Sequence, residues 1–124
     1  MRILICGAGA MGSLFGSLLH EAGEEVWLLS HWTEHVARIR AAGLTLHALD
    51  GTTRRLPLRV LTYDAPLPPA IELAFISVKS AHTAEAAAQA ARALAPHGCA
   101  ITMQNGLGNR ERLAAAVGER RALL

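Results

Sequence analysis

Residues 3–12 read ILICGAGAMG, and this stretch decides the fold of the chain. A short apolar run ends at Cys6, and three glycines then follow in the spacing GxGxxG before a helix-like segment. In such a motif the first glycine makes a tight turn, the second lets the backbone approach a pyrophosphate, and the third packs helix on strand. The free N–H groups at the start of the helix receive the phosphates. We therefore predict a dinucleotide cradle, against the alternative of an ordinary strand-to-helix turn, made of Gly7, Ala8, Gly9, Ala10, Met11 and Gly12.

Size and composition narrow the class of protein. The 124 residues, 52% of them hydrophobic, fit one compact domain over residues 1–124. The net charge of +2 comes from scattered charges of both signs, so we expect no nucleic-acid partner. No apolar run approaches the ~20 residues that cross a bilayer, and we recognise no signal peptide, so we expect no membrane partner and a cytoplasmic location. Cys6 and Cys99 fit buried thiols in a reducing compartment better than a disulfide.

Apolar runs typical of buried strands alternate with helical patterns along the chain. Residues 44–48 and 54–60 flank Asp50-Gly51, a hairpin signal. Thr33 fits a helix cap, and glycines follow three of the helices. This alternation predicts an α/β fold, a Rossmann-type doubly wound and mostly parallel sheet with a small antiparallel hairpin excursion. The predicted strands are residues 3–6, 26–29, 73–78 and 100–103, with a sixth starting at 121–124, and the predicted helices are 10–22, 33–42, 81–95 and 109–117.

Ser30 and His31 end the second of these strands, where a doubly wound sheet places its ligand. NAD-binding domains usually carry Asp or Glu here, about 20 residues after the glycines, to hold the ribose 2′-hydroxyl. This chain has neither, and Ser30 and His31, with Arg38 and Arg40 further along, suit a 2′-phosphate better. We therefore predict NADP(H) as the cofactor. The alternative is that these residues only form the solvated start of a helix.

Two further strand ends carry candidate functional side chains. Lys79 follows the strand at residues 73–78 and is the single lysine among 12 basic residues, which indicates a need for an ammonium group there. Asn105 follows the strand at residues 100–103 and would face the same cleft, where its carboxamide can donate a hydrogen bond to a substrate or a ribose. The alternatives are a solvated lysine and an ordinary Asn-Gly turn.

The segments GAGAMGSLFG, FISVKS and MQNGLGNRE together resemble the N-terminal domain of ketopantoate reductases (2-dehydropantoate 2-reductases). The resemblance covers essentially the whole chain, including the hairpin around Asp50-Gly51. It implies an oxidoreductase domain that binds NADPH, which delivers hydride to the keto carbon of ketopantoate on the route to pantothenate. It also implies that the glycines cradle the pyrophosphate, that Lys79 lies near the nicotinamide and substrate, and that Asn105 contacts the cofactor ribose or the substrate. Lys79 and Asn105 are therefore the predicted catalytic residues.

Two departures from that family pattern affect the prediction. His31 stands where the family commonly has an arginine for the 2′-phosphate. The family's second, helical domain, which supplies a general-acid lysine and substrate contacts, is absent from this chain. We therefore expect the chain alone to be inactive, and we expect an uncovered apolar face to favour homo-oligomers.

Other functions remain open from the sequence. A dehydrogenase for another small oxo acid and a stand-alone NAD(P)-binding regulatory module both fit the glycine motif. His31 and His35 have the i, i+4 spacing of a helical ligand pair, but we find no third ligand nearby. We therefore predict no metal site.

Overall fold

The computed structural model describes residues 1–104 and 107–124. Strands and helices alternate as the sequence predicts except between α2 and α3, where four strands follow one another, and two short 3-10 turns precede α3 and β8. The strands are β1 Arg2–Cys6, β2 Glu25–Ser30, β3 Leu44–His47, β4 Thr53–Leu56, β5 Arg59–Thr62, β6 Ile71–Ile76, β7 Leu94–Thr102 and β8 Ala122–Leu123. The helices are α1 Ala10–Glu21, α2 Thr33–Ala42, α3 Thr83–Ala93 and α4 Asn109–Val117.

Six strands form one parallel sheet in the order β5-β2-β1-β6-β7-β8. β3 and β4 form a separate antiparallel pair around the Asp50-Gly51 turn. This topology confirms the predicted Rossmann-type α/β fold with its hairpin excursion. Because all six strands run the same way, the segments after β1, β2, β6 and β7 meet at one edge of the sheet.

Helices cover the sheet on both faces. On one face α1 and α2 pack on β1 and β2, burying residues such as Ile5, Leu28 and Val36. On the other face α3 and α4 pack on β1, β6 and β7, burying residues such as Leu4, Ile76 and Leu113. Among the described residues, no helix has both the length and the apolarity that crossing a bilayer requires.

One part of the sheet carries an open apolar surface. Phe75, Ile101 and Leu123 are register partners across β6, β7 and β8, so their side chains share the face on which α1 lies. The side chain of Leu123 is 44% exposed. Three exposed residues of α1 at helical spacing, together with Met103 after β7, extend this surface; they are Met11, Leu14 and Leu18.

The predicted strand at residues 54–60 is wrong, because the structure divides it into two strands. β4 pairs with β3, whereas β5 joins the main sheet, where Val60 lies beside Leu28. Pro57 between them has no N–H to continue a ladder, and the amide of Leu58 donates to the carbonyl oxygen of Leu56 in a tight turn (2.9 Å). The chain changes sheets at this turn.

Two other local predictions need correction. Thr33 is the first residue of α2 rather than its cap, because the hydroxyl of Ser30 accepts the amide N–H of Trp32 (3.1 Å) and places Trp32 at the cap position. The predicted helix at residues 81–95 is shorter, since a 3-10 turn precedes α3 and β7 begins at Leu94. Pro96 is tolerated in β7 because the register with β6 is irregular there.

Candidate functional site

The loop after β1 is fixed between the ends of the neighbouring strands. The amide of Gly7 donates to the carbonyl oxygen of Leu29 (2.8 Å), and the amide of Ser77 donates to that of Cys6 (2.9 Å). Gly7 has a φ of +116°, and a β-carbon there would overlap the carbonyl oxygen of Ser77. Only glycine fits this turn.

Gly12 and Gly9 lack side chains for different reasons. A β-carbon at Gly12 would overlap the carbonyl oxygen of Gly7, far inside the 3.0 Å that real β-carbons keep. A β-carbon at Gly9 would meet nothing within 4 Å of the protein. The fold therefore requires Gly7 and Gly12, whereas the space above Gly9 is open.

The helix beside this space begins without a side-chain cap from any described residue. Gly9 is the N-cap of α1, and no acidic residue lies in the first turn. The first N–H groups of a helix have no partner within it, and together with the helix dipole they favour an anion. Ser13 instead turns its hydroxyl back to the carbonyl oxygen of Ala8 (3.0 Å), which secures the loop. The loop and the start of the helix thus have the chemistry that favours an anion beside Gly9.

Two pockets flank the glycine loop at the carboxyl edge of the sheet. The first, here the β2-side pocket, has a volume of about 560 Å³. The second, here the β7-side pocket, has a volume of about 510 Å³. The two share Gly9, Ser77, Val78 and Lys79. The other residues of the β2-side pocket are Gly7, Leu29, Ser30, His31, Trp32, Tyr63, His82 and Glu85. The other residues of the β7-side pocket are Ile5, Ala10, Met11, Gly12, Phe15, Phe75, Ile76, Ser80, Met103 and Gln104.

The β2-side pocket brings together the residues predicted for the 2′ end of a dinucleotide. His31 is exposed, its ring stacks on that of Tyr63 at a centroid distance of 3.6 Å, and its Nε2 lies 3.0 Å from Glu85 Oε2. Arg40 is directed elsewhere, because its Nε donates to the carbonyl oxygen of Val60 (3.1 Å). Neither Arg38 nor Arg40 lines this pocket among the described residues. Of the basic residues predicted to hold a 2′-phosphate, His31 is therefore the one that lines this pocket.

Lys79 occupies the wall common to both pockets. Its side chain is exposed, and it has no hydrogen bond or ion pair with any other described residue. The backbone just before it is fixed, because the side-chain Nε2 of Gln104 donates to the carbonyl oxygen of Val78. The ammonium group is therefore carried by a fixed segment and faces solvent in the cleft.

A buried polar network holds the segment after β7 against α3. The side-chain amide of Gln104 donates to Thr83 Oγ1 (2.9 Å), and Thr102 Oγ1 donates to Gln104 Oε1 (2.8 Å). Thr83 Oγ1 lies 3.4 Å from Asn109 Oδ1, at the start of α4. The predicted site residue Asn105 lies outside the described residues, whereas the side chain of its neighbour Gln104 contacts the end of β7, the segment after β6 and the start of α3.

Four described residues of the site were not predicted from the sequence. Tyr63, His82 and Glu85 line the β2-side pocket, and Gln104 organises the buried network. Tyr63 follows β5, so assigning that strand to the parallel sheet would have drawn attention to it. His82 and Glu85 are three residues apart at the start of α3, the spacing that puts two side chains on one helix face.

Two ionisable groups near the loop stay neutral at ordinary pH. Complete burial raises the pKa of the Cys6 thiol to about 12, so this group is not a nucleophile at neutral pH. Burial, and then the proximity of Cys6 and Glu85, raises the pKa of the Tyr63 phenol.

Within the described part of the chain, no three His, Cys, Asp or Glu residues are grouped to hold a metal. His31 contacts Glu85, whereas His35 contacts the carbonyl oxygen of Ala8.

Comparison with known proteins gives one consistent family. The family described as ketopantoate reductase PanE/ApbA matches residues 3–124 of the chain. A 2-dehydropantoate 2-reductase from Halobacterium salinarum is 40% identical over 114 residues, which cover 92% of this chain and 37% of that protein. The chain thus spans well under half the length of that relative.

Solved structures share the fold at similar coverage. A PanE/ApbA family ketopantoate reductase from Ralstonia eutropha JMP134 gives a TM-score of 0.82 at 30% identity, over 95% of this chain and 39% of its own. A D-mandelate dehydrogenase in a ternary structure with NADH and anilino(oxo)acetate gives a TM-score of 0.90 at 27% identity, over 99% of this chain and 39% of its own.

Proposed function

The chain belongs to the ketopantoate reductase PanE/ApbA family, and from this we propose that it is the NADP(H)-binding domain of a 2-dehydropantoate 2-reductase. The complete enzyme would reduce ketopantoate to pantoate by hydride transfer, in pantothenate biosynthesis in the cytoplasm. The two cysteines, both unpaired thiols, fit that reducing compartment.

The observation that carries this proposal is the open space above Gly9. It lies at the N-terminus of α1, where backbone N–H groups and the helix dipole favour a pyrophosphate. The two pockets on either side would take the two halves of a dinucleotide. The adenosine half would lie in the β2-side pocket with Ser30 and His31, and the nicotinamide half in the β7-side pocket.

The chain's own residues would bind and orient the reactants. NADPH, when bound, supplies the hydride. The backbone of Gly9 to Gly12 would hold the pyrophosphate, and the shared wall would bring Lys79 to the boundary between the two halves. There its ammonium would attract an oxo-acid substrate and stabilise negative charge that develops on the oxo oxygen. We propose Asn105 as a second contact to the ribose or substrate.

Binding and protonation of the substrate would depend on a second domain of the complete enzyme. The relatives are more than twice as long as this chain, and the family's helical domain would supply the proton donor and further substrate contacts. The open apolar surface adjoins the β7-side pocket through Met11 and Met103. We propose that this surface is covered in the working enzyme and that the isolated chain, inactive alone, self-associates through it.

A second candidate is an NADH-dependent reductase of a different oxo acid. The D-mandelate dehydrogenase that shares this fold was solved with NADH and an oxo-acid compound. In this chain the carboxylate of Glu85 lies in the β2-side pocket, and a carboxylate is the group that NAD-binding domains use for a ribose 2′-hydroxyl.

Titration of NADPH into the chain, followed by nicotinamide fluorescence, tests the proposal. We expect binding in wild type and an affinity at least about tenfold weaker in Gly9→Ala, because the added methyl group would fill the pyrophosphate space. Thermal melting should show that this variant stays folded. Absence of NADPH binding, or equal affinity in Gly9→Ala, would contradict the assignment of the loop.

A further inference from the structure

A carboxylate occupies the place in the β2-side pocket where a phosphate is expected. Glu85 is the third residue of α3, and its Oε2 lies 3.0 Å from Nε2 of His31. The side chains of His31 and Glu85 are 48% and 51% exposed, so both can reach a ligand. The ring edge that a 2′-phosphate would use is therefore already in contact with an acidic group.

The position of the His31 ring is fixed by the elements around it. Its face stacks on Tyr63, after β5, with an angle of 13° between the rings. The ring of His82, from the 3-10 turn before α3, lies 6.2 Å away and tilted. Lys79 lines the same pocket. The carboxylate of Glu85 thus shares the pocket with one ammonium and two imidazoles, and the imidazoles are charged only when protonated.

We propose that Glu85 is a specificity-determining residue, whose carboxylate competes with a ribose 2′-phosphate for His31. A phosphate bound to His31 must displace Glu85, which costs the contact between His31 and Glu85, or lie close to it, where like charges repel. A ribose with a free 2′-hydroxyl meets no such repulsion and can donate to the carboxylate. Glu85 therefore lowers the affinity for NADPH relative to NADH. This inference rests on the proposed dinucleotide site.

Glu85→Gln tests the inference, because it removes the charge and keeps the size of the side chain. Dissociation constants for NADPH and NADH are measured at pH 7 and constant ionic strength for wild type and variant. We expect the NADPH:NADH affinity ratio to rise about fivefold, the effect of one charge near a protein surface. Glu111→Gln is the matched control, since Glu111 also lies in the first turn of a helix, α4, and lines neither pocket.

The same substitution made in a His31→Ala variant tests whether Glu85 competes with the phosphate for His31. In His31→Ala the gain from Glu85→Gln should shrink, because there is no imidazole left to compete for. An undiminished gain would overturn the role of His31 in the competition. If both dinucleotides bind and the ratio is unchanged or lower in Glu85→Gln, the inference is overturned while the dinucleotide site stands. If neither dinucleotide binds wild type, the proposed function and this inference both fall.

Discussion

Gly12 rests directly on Gly7, with no room between them for even one methyl group. The contact joins the first turn of α1 to the loop after β1, and Gly9, the N-cap of the helix, lies between them. The same two glycines thus fix the fold and the direction of the helix dipole. Of the three glycines in the motif, Gly7 and Gly12 are therefore required by the fold, whereas a β-carbon at Gly9 would meet open space.

Gly12→Ala should therefore damage folding, whereas Gly9→Ala should not. Overpacking at Gly12 against backbone that cannot move should lower the free energy of unfolding by about 3 kcal/mol or more. Gly9→Ala should cost no more than about 1 kcal/mol, the effect of a poorer helix cap. Urea unfolding of both variants measures the difference. Similar losses in the two variants would contradict the distinction.

Lys79→Ala should affect binding far more than stability. An exposed side chain without a partner among the described residues contributes less than about 0.5 kcal/mol to stability. Loss of the ammonium from the wall of both pockets should weaken NADPH binding about fivefold in low salt. Arg38→Ala is the control, because Arg38 is an exposed cation that lines neither pocket. Equal effects of the two substitutions on affinity would place Lys79 outside the site.

Gln104→Ala should destabilise the chain through the buried network. It removes the side-chain amide that bonds Thr83, Thr102 and the carbonyl oxygen of Val78, and leaves the two almost fully buried hydroxyls only their longer contacts with Asn109 and with the backbone N–H of residue 104. Unsatisfied buried groups of this kind cost about 1–3 kcal/mol. Gln89→Ala, which removes only a surface contact with Arg92, should change stability by less than about 0.5 kcal/mol. Denaturant midpoints of the pair decide whether the network stabilises the fold.

Tyr63→Phe should stabilise the chain. The hydroxyl of Tyr63 is buried and has no hydrogen-bond partner among the described residues. Its removal relieves an unsatisfied polar group, a gain of about 1 kcal/mol, and leaves the ring that stacks on His31. Thermal and urea unfolding measure the change. A clear loss of stability would show that the hydroxyl has a partner in solution.

Alkaline pH should weaken the fold partly through Cys6. The ordinary pKa of the thiol is 9.0, and burial raises the pKa in the folded chain to about 12. Between these values the unfolded chain has lost this proton and the folded chain keeps it. Stability present below pH 9 is therefore lost as the pH rises towards 12. In reducing buffer, the free energy of unfolding should fall less steeply above pH 9 in Cys6→Ala than in wild type or Cys99→Ala.

The pattern of glycines and apolar residues predicted the β1-α1-β2 part of the fold correctly. The GxGxxG loop lies between β1 and α1 as expected, and the predicted bounds of α2 and α4 agree with the structure. The division into β4 and β5 could not be read from residues 54–60. Both strands are short, and only Val60 of β5 is fully buried, so alternation of apolar residues does not distinguish a hairpin arm from a sheet edge.

The residues of the candidate site, too, could be predicted from the sequence only in part. Residues that directly follow the recognised strands, such as His31 and Lys79, were predicted and do line the pockets. Tyr63 was not predicted because β5, the strand before it, was not recognised. Glu85 contacts His31 although the two residues are 54 positions apart in the sequence. Contacts of that kind depend on how α3 packs against the sheet, which the sequence pattern alone does not give.

The position of β1 in the sheet has a consequence for how the chain folds. β1 begins at Arg2 yet lies in the middle of the sheet, where Ile3 pairs with Val26 on one side and with Leu73 on the other. The second pairing closes a loop of about seventy residues, and pairings this distant make folding slow because the loop entropy is lost before the contact forms. β1 therefore waits for β6 before both of its edges are paired. A deletion within β1 would act on the centre of the sheet rather than on its rim.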